Sequence, residues 1–158
     1  MVRFRHLAGI TTGLTFALIL LGVYTAAMGA GLSCSAQWPF CDGGLIPQTW
    51  PSFIEWFHRL VAMITGFFIL GTAAGSWKYT SQKRIRGAAT LALAVTPIQV
   101  VLGGATVFVY TPLVQVAHHT AALIIFGALL ATTLWSYEES SAPETQSADA
   151  ASGYPSDD

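Results

Sequence analysis

Four long stretches with almost no charged residues place the strongest constraint on how this chain can fold. Each has about 20 residues, and a helix of that length rising 1.5 Å per residue crosses a hydrocarbon core of about 30 Å. Only helices and closed barrels satisfy their backbone polar groups within lipid, and apolar runs of this length without alternation favour helices. The stretches are Leu7 to Met28, Trp56 to Trp77, Gly87 to Val109 and Val114 to Trp135.

The composition agrees with a membrane protein, because 9% of the 158 residues are charged against about 25% in a typical soluble domain. The sequence therefore predicts an all-α membrane protein built as a four-transmembrane-helix bundle, with one domain over residues 1–136. The remaining residues, 137–158, are rich in Ser, Ala and acids and predict a disordered tail. The expected helices are about 7–29, 52–77, 87–109 and 112–136, with an outer loop at 30–51.

Basic residues indicate the orientation of the bundle, since loops rich in Lys and Arg stay in the cytoplasm. Arg3 and Arg5 precede the first helix, and four more basic residues lie at 78–86 between the second and third helices. Both termini are therefore expected in the cytoplasm, with the outer loop on the extracytoplasmic face of the cell membrane. The net charge of −1 gives no indication of a nucleic-acid partner, and lipid is the expected surrounding.

The outer loop contains the two cysteines, Cys34 and Cys41, in the segment "CSAQWPFC". An extracytoplasmic position permits a disulfide, and a bridge across six residues would stabilise the fold by roughly 2–3 kcal/mol. A structural disulfide is the first interpretation and a redox-active pair the second. A metal site is disfavoured because no other Cys or His lies in this loop.

Ionisable residues within membrane spans are costly and indicate function. They occur here in "EWFHRL", at the start of the second helix, and in "QVAHH", near the start of the fourth. His58 follows Pro51 by seven residues and His118 follows Pro112 by six, so both lie roughly 9–11 Å below the outer helix ends. Two imidazoles at matched depth on parallel helices can bind a haem iron from both sides, or one can bind the iron while the other orients a substrate.

Glu55 lies three residues before His58 and shares its helix face. Arg59 has three possible partners: Glu55, the interfacial water, or a haem propionate. His119 points away from His118, and periodicity leaves open which of the two faces the bundle. Gln99, a polar residue in the middle of the third helix, is expected to hydrogen-bond a neighbour or a ligand.

Simpler explanations of these residues exist. Intramembrane histidines can serve only as interhelical hydrogen-bonding groups, and Glu55 and Arg59 can form an interfacial salt bridge. A di-iron bundle is disfavoured because it needs two E-x-x-H motifs, and this chain has one. A zinc protease has no support because H-E-x-x-H is absent.

Four segments together resemble the haem A synthase family over nearly all of residues 20–130. They are "GAGLSCSAQWPFCDGGLIP", "EWFHR", "QVVLGGATV" and "VAHHTAALIIF". Each element alone is weak, whereas C-x6-C with an internal Trp-Pro, followed by E-x-x-H-R, is a specific combination.

The resemblance implies oxidation of the C8 methyl of haem O to the formyl of haem A, for cytochrome oxidase, by two successive hydroxylations. It implies that His58 and His118 bind haem iron and that Glu55 is the essential acid. It also implies that Cys34 and Cys41 form the outer-loop disulfide. His118 is preferred to His119 because it aligns with the single His before the small-residue stretch.

Full-length members of that family have eight helices in two similar halves, each with a His pair, whereas this sequence has one half. Self-association could recreate the second haem site; otherwise the chain works with one site or is an inactive relative. The expected cofactors are iron and haem, as haem b, haem O or haem A. The expected partners are haem O, haem O synthase, a membrane electron donor and a second copy of the chain. The alternatives are a non-catalytic haem b electron-transfer protein with two His ligands, and an assembly protein without haem.

Overall fold

The computed structural model describes residues 2–34, 37, 41–42 and 46–141. Within them, four helices are long and apolar enough to cross a membrane, which confirms the predicted all-α, four-helix membrane fold. In chain order the helices are α1 (Val2–Ala27), a short 3-10 helix (Ala30–Leu32), α2 (Trp50–Tyr79), α3 (Lys83–Phe108) and α4 (Pro112–Ser141).

All four helices extend beyond the predicted bounds at an end where charged residues begin, and α2 continues past Lys78 to Tyr79. α1 starts at Val2, α3 starts at Lys83, and α4 continues to Ser141, into the segment that the sequence assigned to the tail. The apolar stretch marks the part of a helix that lies in lipid, whereas the helix itself continues into water through residues with good helix propensity. The rest of the predicted tail, residues 142–158, lies outside the described residues.

The four helices pack as a ring in chain order. α1 packs mainly against α2 and α4, and α3 against the same two helices, so α1 and α3 lie on one diagonal and α2 and α4 on the other. The chain alternates in direction, which brings the ends of α1 and α3 and the starts of α2 and α4 together. We call this the disulfide end, because the loop with both cysteines lies there, and the opposite end, with Arg5 and Arg84, the arginine end.

The ring consists of two similar helical hairpins, α1–α2 and α3–α4. α1 and α3 each have 26 residues, and α2 and α4 each have 30. Buried positions recur at the same spacing in both hairpins, which indicates an approximate twofold axis along the bundle. The equivalent buried pairs are Phe4 and Ile85, Ala8 and Ala89, Thr11 and Ala92, Thr65 and Ile125, Ile69 and Leu129, Thr72 and Thr132, and Ser76 and Ser136.

Threonine hydroxyls join α1 to both of its neighbours in the arginine half of the bundle. Thr11 Oγ1 lies 2.8 Å from Thr72 Oγ1 of α2, and Thr12 Oγ1 lies 2.9 Å from Thr133 Oγ1 of α4. In lipid, where hydrophobic burial cannot hold helices together, such interhelical hydrogen bonds and close packing fix the arrangement. The two threonine hydrogen bonds therefore hold α1 against both α2 and α4.

We expect Thr72→Val to lower the free energy of unfolding by roughly 0.5–1.5 kcal/mol, because it removes the Thr11 hydrogen bond at constant volume. Denaturation in detergent measures this change. Thr120→Val is the matched control, since the exposed Thr120 hydroxyl bonds its own helix at the Val116 carbonyl. Equal losses in the two variants would contradict an interhelical role for Thr72.

Candidate functional site

A cavity of about 550 Å³ lies between the four helices and extends towards the disulfide end. Its volume is within the usual range of small-molecule and cofactor sites, about 300–1,000 Å³. The polar and ionisable site candidates of α2, α3 and α4 all lie on its walls. These are Glu55, His58, Arg59, Gln99, His118 and His119.

His58 and His118 lie on the two diagonal helices, α2 and α4, at similar depth. α2 starts at Trp50, where the Thr49 side chain accepts a hydrogen bond from the Ser52 N–H and Pro51 occupies the first turn; both features favour a helix start. His58 is then about 12 Å below its helix start, and His118 about 9 Å below the start of α4. The parallel direction of these helices places both imidazoles in the disulfide half of the cavity.

Each of these imidazoles keeps a buried nitrogen that forms no hydrogen bond. Neither His58 Nδ1 nor His118 Nδ1 has a partner among the described residues, and the same holds for Gln99 Oε1. Buried polar atoms are nearly always hydrogen-bonded, so an unpartnered one needs an explanation. Three such atoms around one cavity fit a site whose side chains are arranged for a ligand.

Gln99 contacts His118, as expected of a polar residue in the middle of α3. Its Nε2 lies 3.3 Å from His118 Nε2, and because an amide nitrogen only donates, the imidazole nitrogen accepts. His119 differs from His118, because its Nδ1 lies 2.9 Å from the Gln115 backbone oxygen. The same nitrogen also lies 3.4 Å from the Gln115 side-chain Nε2, so the adjacent histidines have different hydrogen-bonding partners.

Glu55 and Arg59 form an ion pair, which is one of the three alternatives that the sequence left open for Arg59. Arg59 Nε donates to Glu55 Oε1 at 3.0 Å, and Glu55 is only 6% exposed. Arg59 also donates through Nη1 to the Gln37 backbone oxygen at 3.0 Å. One guanidinium thus joins the buried carboxyl group to the loop that covers the disulfide end.

The Cys34–Cys41 disulfide is present, as predicted, and both cysteines are fully buried. The Gln37 N–H donates to the Cys34 backbone oxygen inside the ring that the bridge closes. Ser52 Oγ donates to the Ser33 backbone oxygen, which fastens the loop to the first turn of α2. The disulfide therefore holds the Gln37 carbonyl in the position where it accepts the hydrogen bond from Arg59.

The sequence interpretation missed the contribution of α1. Gly22 of this helix faces His58 in the same way that Gly103 of α3 faces His118. Both glycines lie in a T-x6-G-x2-T segment, over residues 15–25 and 96–106, whose threonines line the cavity. This repeat could have identified Gly22 from the sequence. However, few residues are identical between the two hairpins, and the cysteine loop makes the connection from α1 to α2 longer than that from α3 to α4.

The hydroxyl groups of those threonines are directed to their own helices. Thr15, Thr25, Thr96 and Thr106 each donate to a backbone carbonyl three or four residues earlier, an arrangement that satisfies a hydroxyl within a helix. The polar groups left for a ligand are therefore concentrated near the two imidazoles. An apolar cavity with a few convergent polar groups is typical of a cofactor or substrate site.

Comparison with known proteins identifies the family to which this chain belongs. A family model described as a cytochrome oxidase assembly protein, COX15-CtaA, matches residues 50–154. The chain is also 32% identical over 143 residues to haem A synthase of Bacillus licheniformis, which covers 88% of this chain and 47% of that protein. The chain belongs to the haem A synthase family. The resemblance that the sequence motifs indicated is thereby confirmed.

The chain is also similar to a protein that is not named a haem A synthase. Protohaem IX farnesyltransferase of Halobacterium salinarum is 34% identical over 126 residues, which covers 78% of this chain and 28% of that protein. Haem A synthase of Bacillus pumilus is 31% identical, with 85% of this chain and 45% of that protein covered. The chain thus spans about half the length of the haem A synthases that it matches and just over a quarter of the farnesyltransferase.

Loss of the Arg59 charge should destabilise the protein strongly, since it leaves Glu55 buried without its ionic partner. We expect Arg59→Met to lower the free energy of unfolding by about 3 kcal/mol, measured by denaturation in detergent. The double variant Glu55→Gln/Arg59→Met should lose less than Arg59→Met alone, because no unpaired charge remains. A double variant at least as unstable as the single one would show that Arg59 acts mainly through Gln37.

Proposed function

We propose that this chain acts as a haem A synthase-type oxidase, in which haem O lies in the cavity and its C8 methyl is converted to a formyl group. The observation that carries the proposal is the pair of diagonal imidazoles, each with an unpartnered buried nitrogen, beside the buried Glu55. Membership of the haem A synthase family supports the same substrate class.

In this proposal His58 and His118 are the residues that would hold the haem iron. One or two histidines would suffice for an iron that a macrocycle already holds, which fits described residues that contain no cluster of three or more His, Cys, Asp or Glu side chains able to hold a bare metal ion. Bound haem would supply the redox-active iron. Gln99 would exchange its hydrogen bond to His118 Nε2 for a contact with the bound ligand.

Glu55 is the residue that we assign to proton transfer. With water as the oxygen source, conversion of the methyl to the formyl, through the alcohol and a gem-diol that loses water, adds one oxygen atom and releases four protons, while four electrons pass to a membrane redox partner. A carboxyl group one turn from His58, on the same helix face, would be near a haem bound by that imidazole. Arg59 keeps it in one position by the 3.0 Å hydrogen bond.

The position of Glu55 also distinguishes the two hairpins. Gln115 precedes His118 by the same three residues, so α4 has an amide where α2 has an acid. The approximate twofold axis therefore relates the two proposed iron ligands, whereas the proton-accepting group is on one side. This arrangement would direct oxidation to one edge of the haem.

The partners that we propose follow from the substrate. Haem O is a farnesylated haem, and one relative is named a protohaem IX farnesyltransferase, so haem O synthase is the proposed supplier. A membrane redox partner would exchange the electrons, and a second copy of the chain remains a proposed partner. The protein spans a membrane several times; we place it in the cell membrane with the disulfide end on the extracytoplasmic face, by the distribution of Lys and Arg.

Co-expression with a haem O source, followed by haem extraction and mass analysis, tests the assignment of Glu55. The wild-type protein should yield haem A or its hydroxylated intermediate. Glu55→Gln should retain bound haem and lose product by roughly a hundredfold or more, in line with removal of a general base.

The control for this experiment is Glu138→Gln, at an exposed carboxylate of the arginine end that pairs with Arg84. It should give the wild-type yield. Haem bound to the wild-type protein with no conversion would instead support the electron-transfer alternative. Loss of haem from Glu55→Gln would make Glu55 a structural residue.

A further inference from the structure

Both imidazoles of the proposed site lie against a glycine of the preceding helix. A Cβ atom at Gly22 would be 3.1 Å from His58 Cε1, and a Cβ atom at Gly103 would be 3.2 Å from His118 Cε1. Carbon atoms in favourable contact are about 3.5–4.0 Å apart. Any larger residue at either position would therefore have to displace the ring that faces it.

This close approach is specific to a few glycines. Gly13 of α1, Gly66 of α2, Gly104 of α3 and Gly127 of α4 would place a Cβ atom where nothing lies within 4 Å. Among the described glycines, Gly75 also has a near neighbour, the Phe4 ring, but at the arginine end. General tightness of the bundle thus does not explain the two glycine–imidazole contacts.

The two contacts are also equivalent in the twofold arrangement of the bundle. Gly22 and Gly103 occupy the same place in the T-x6-G-x2-T segments of α1 and α3, and each faces the histidine of the next helix. His58 and His118 are likewise followed, four residues later, by Ala62 and Ala122, which line the cavity. Each hairpin therefore presents one imidazole that the glycine backbone of its own first helix supports.

We infer that Gly22 and Gly103 are positioning residues, which set the plane and depth of the His58 and His118 rings for iron binding. This inference rests on the proposed function. An imidazole that binds iron must point one nitrogen at the metal, and the angle between the two ring planes sets the splitting of the iron d orbitals. The flat backbone surface of a glycine lets the ring stand close to the helix, whereas a methyl group would tilt or push it.

The two rings differ in how firmly other groups hold them. Before a ligand replaces that hydrogen bond, Gln99 also holds the His118 ring ready for iron, at 3.3 Å, whereas the α1 position equivalent to Gln99 is Leu18, whose side chain cannot hydrogen-bond. His58 thus relies more on its glycine than His118 does on Gly103. A methyl group at position 22 should therefore disturb the site more than one at position 103.

The test compares Gly22→Ala and Gly103→Ala with the controls Gly13→Ala and Gly104→Ala, in the full chain co-expressed with a haem O source. Haem content per chain and the electron paramagnetic resonance spectrum of the ferric protein are the measurements. Because alanine favours a helix over glycine, loss of helix stability does not account for a change.

We expect Gly22→Ala to weaken haem binding roughly tenfold or more, or to retain haem with a shifted low-spin signal. Gly103→Ala should change in the same direction to a smaller extent, and both controls should match the wild type. If Gly22→Ala fails to accumulate in the membrane, Gly103→Ala with its neighbour Gly104→Ala provides the same comparison.

Wild-type haem content and spectra in both Gly22→Ala and Gly103→Ala would overturn this inference and leave the proposed function intact. Changes of equal size in Gly104→Ala would also overturn it, since they would show a general packing effect on α3. A wild-type protein that binds no haem would overturn the proposed function, and the positioning role with it.

Discussion

The arrangement of this bundle depends on the cost of placing ionisable and polar side chains between apolar helices. Such groups are expensive in a membrane and persist where they face the interior and find partners. Glu55 accepts a hydrogen bond from Arg59, and Arg59 also donates one to the Gln37 backbone oxygen. The disulfide holds Gln37 in place. Each of the two imidazoles retains an Nδ1 atom without a partner among the described residues, which fits the ligand site that we propose between them.

The twofold repeat explains how a small bundle can create such a site. Two similar hairpins each supply a glycine, a histidine and a buried face, and together they enclose a cavity with a histidine on each side. The repeat is broken at positions of the proposed site: Glu55 against Gln115, Arg59 against His119, and Leu18 against Gln99. Symmetric positions suit a symmetric task such as axial binding of iron, and the broken ones give the cavity a distinct edge.

The sequence predicted the parts that follow from hydropathy and from rare residue types. The four helices follow from charge-free stretches, and Glu55, His58 and His118 follow from the cost of such residues within them. The helix ends were less predictable, because charged residues can extend a helix beyond the lipid. Gly22 was missed because a glycine in an apolar run is ambiguous until the neighbouring helix is placed. The different hydrogen bonds of His118 and His119 depend likewise on helix rotation, which sequence periodicity did not fix.

The central claim is that one haem is held between His58 and His118. The most direct measurement is electron paramagnetic resonance of the ferric protein purified with its haem, for the wild type and for alanine variants of His58, His118 and His119. We expect a low-spin signal with two histidine ligands in the wild type, lost with His58→Ala and His118→Ala and retained with His119→Ala. A low-spin signal that survives His118→Ala but not His119→Ala, or a high-spin wild type, would contradict this claim.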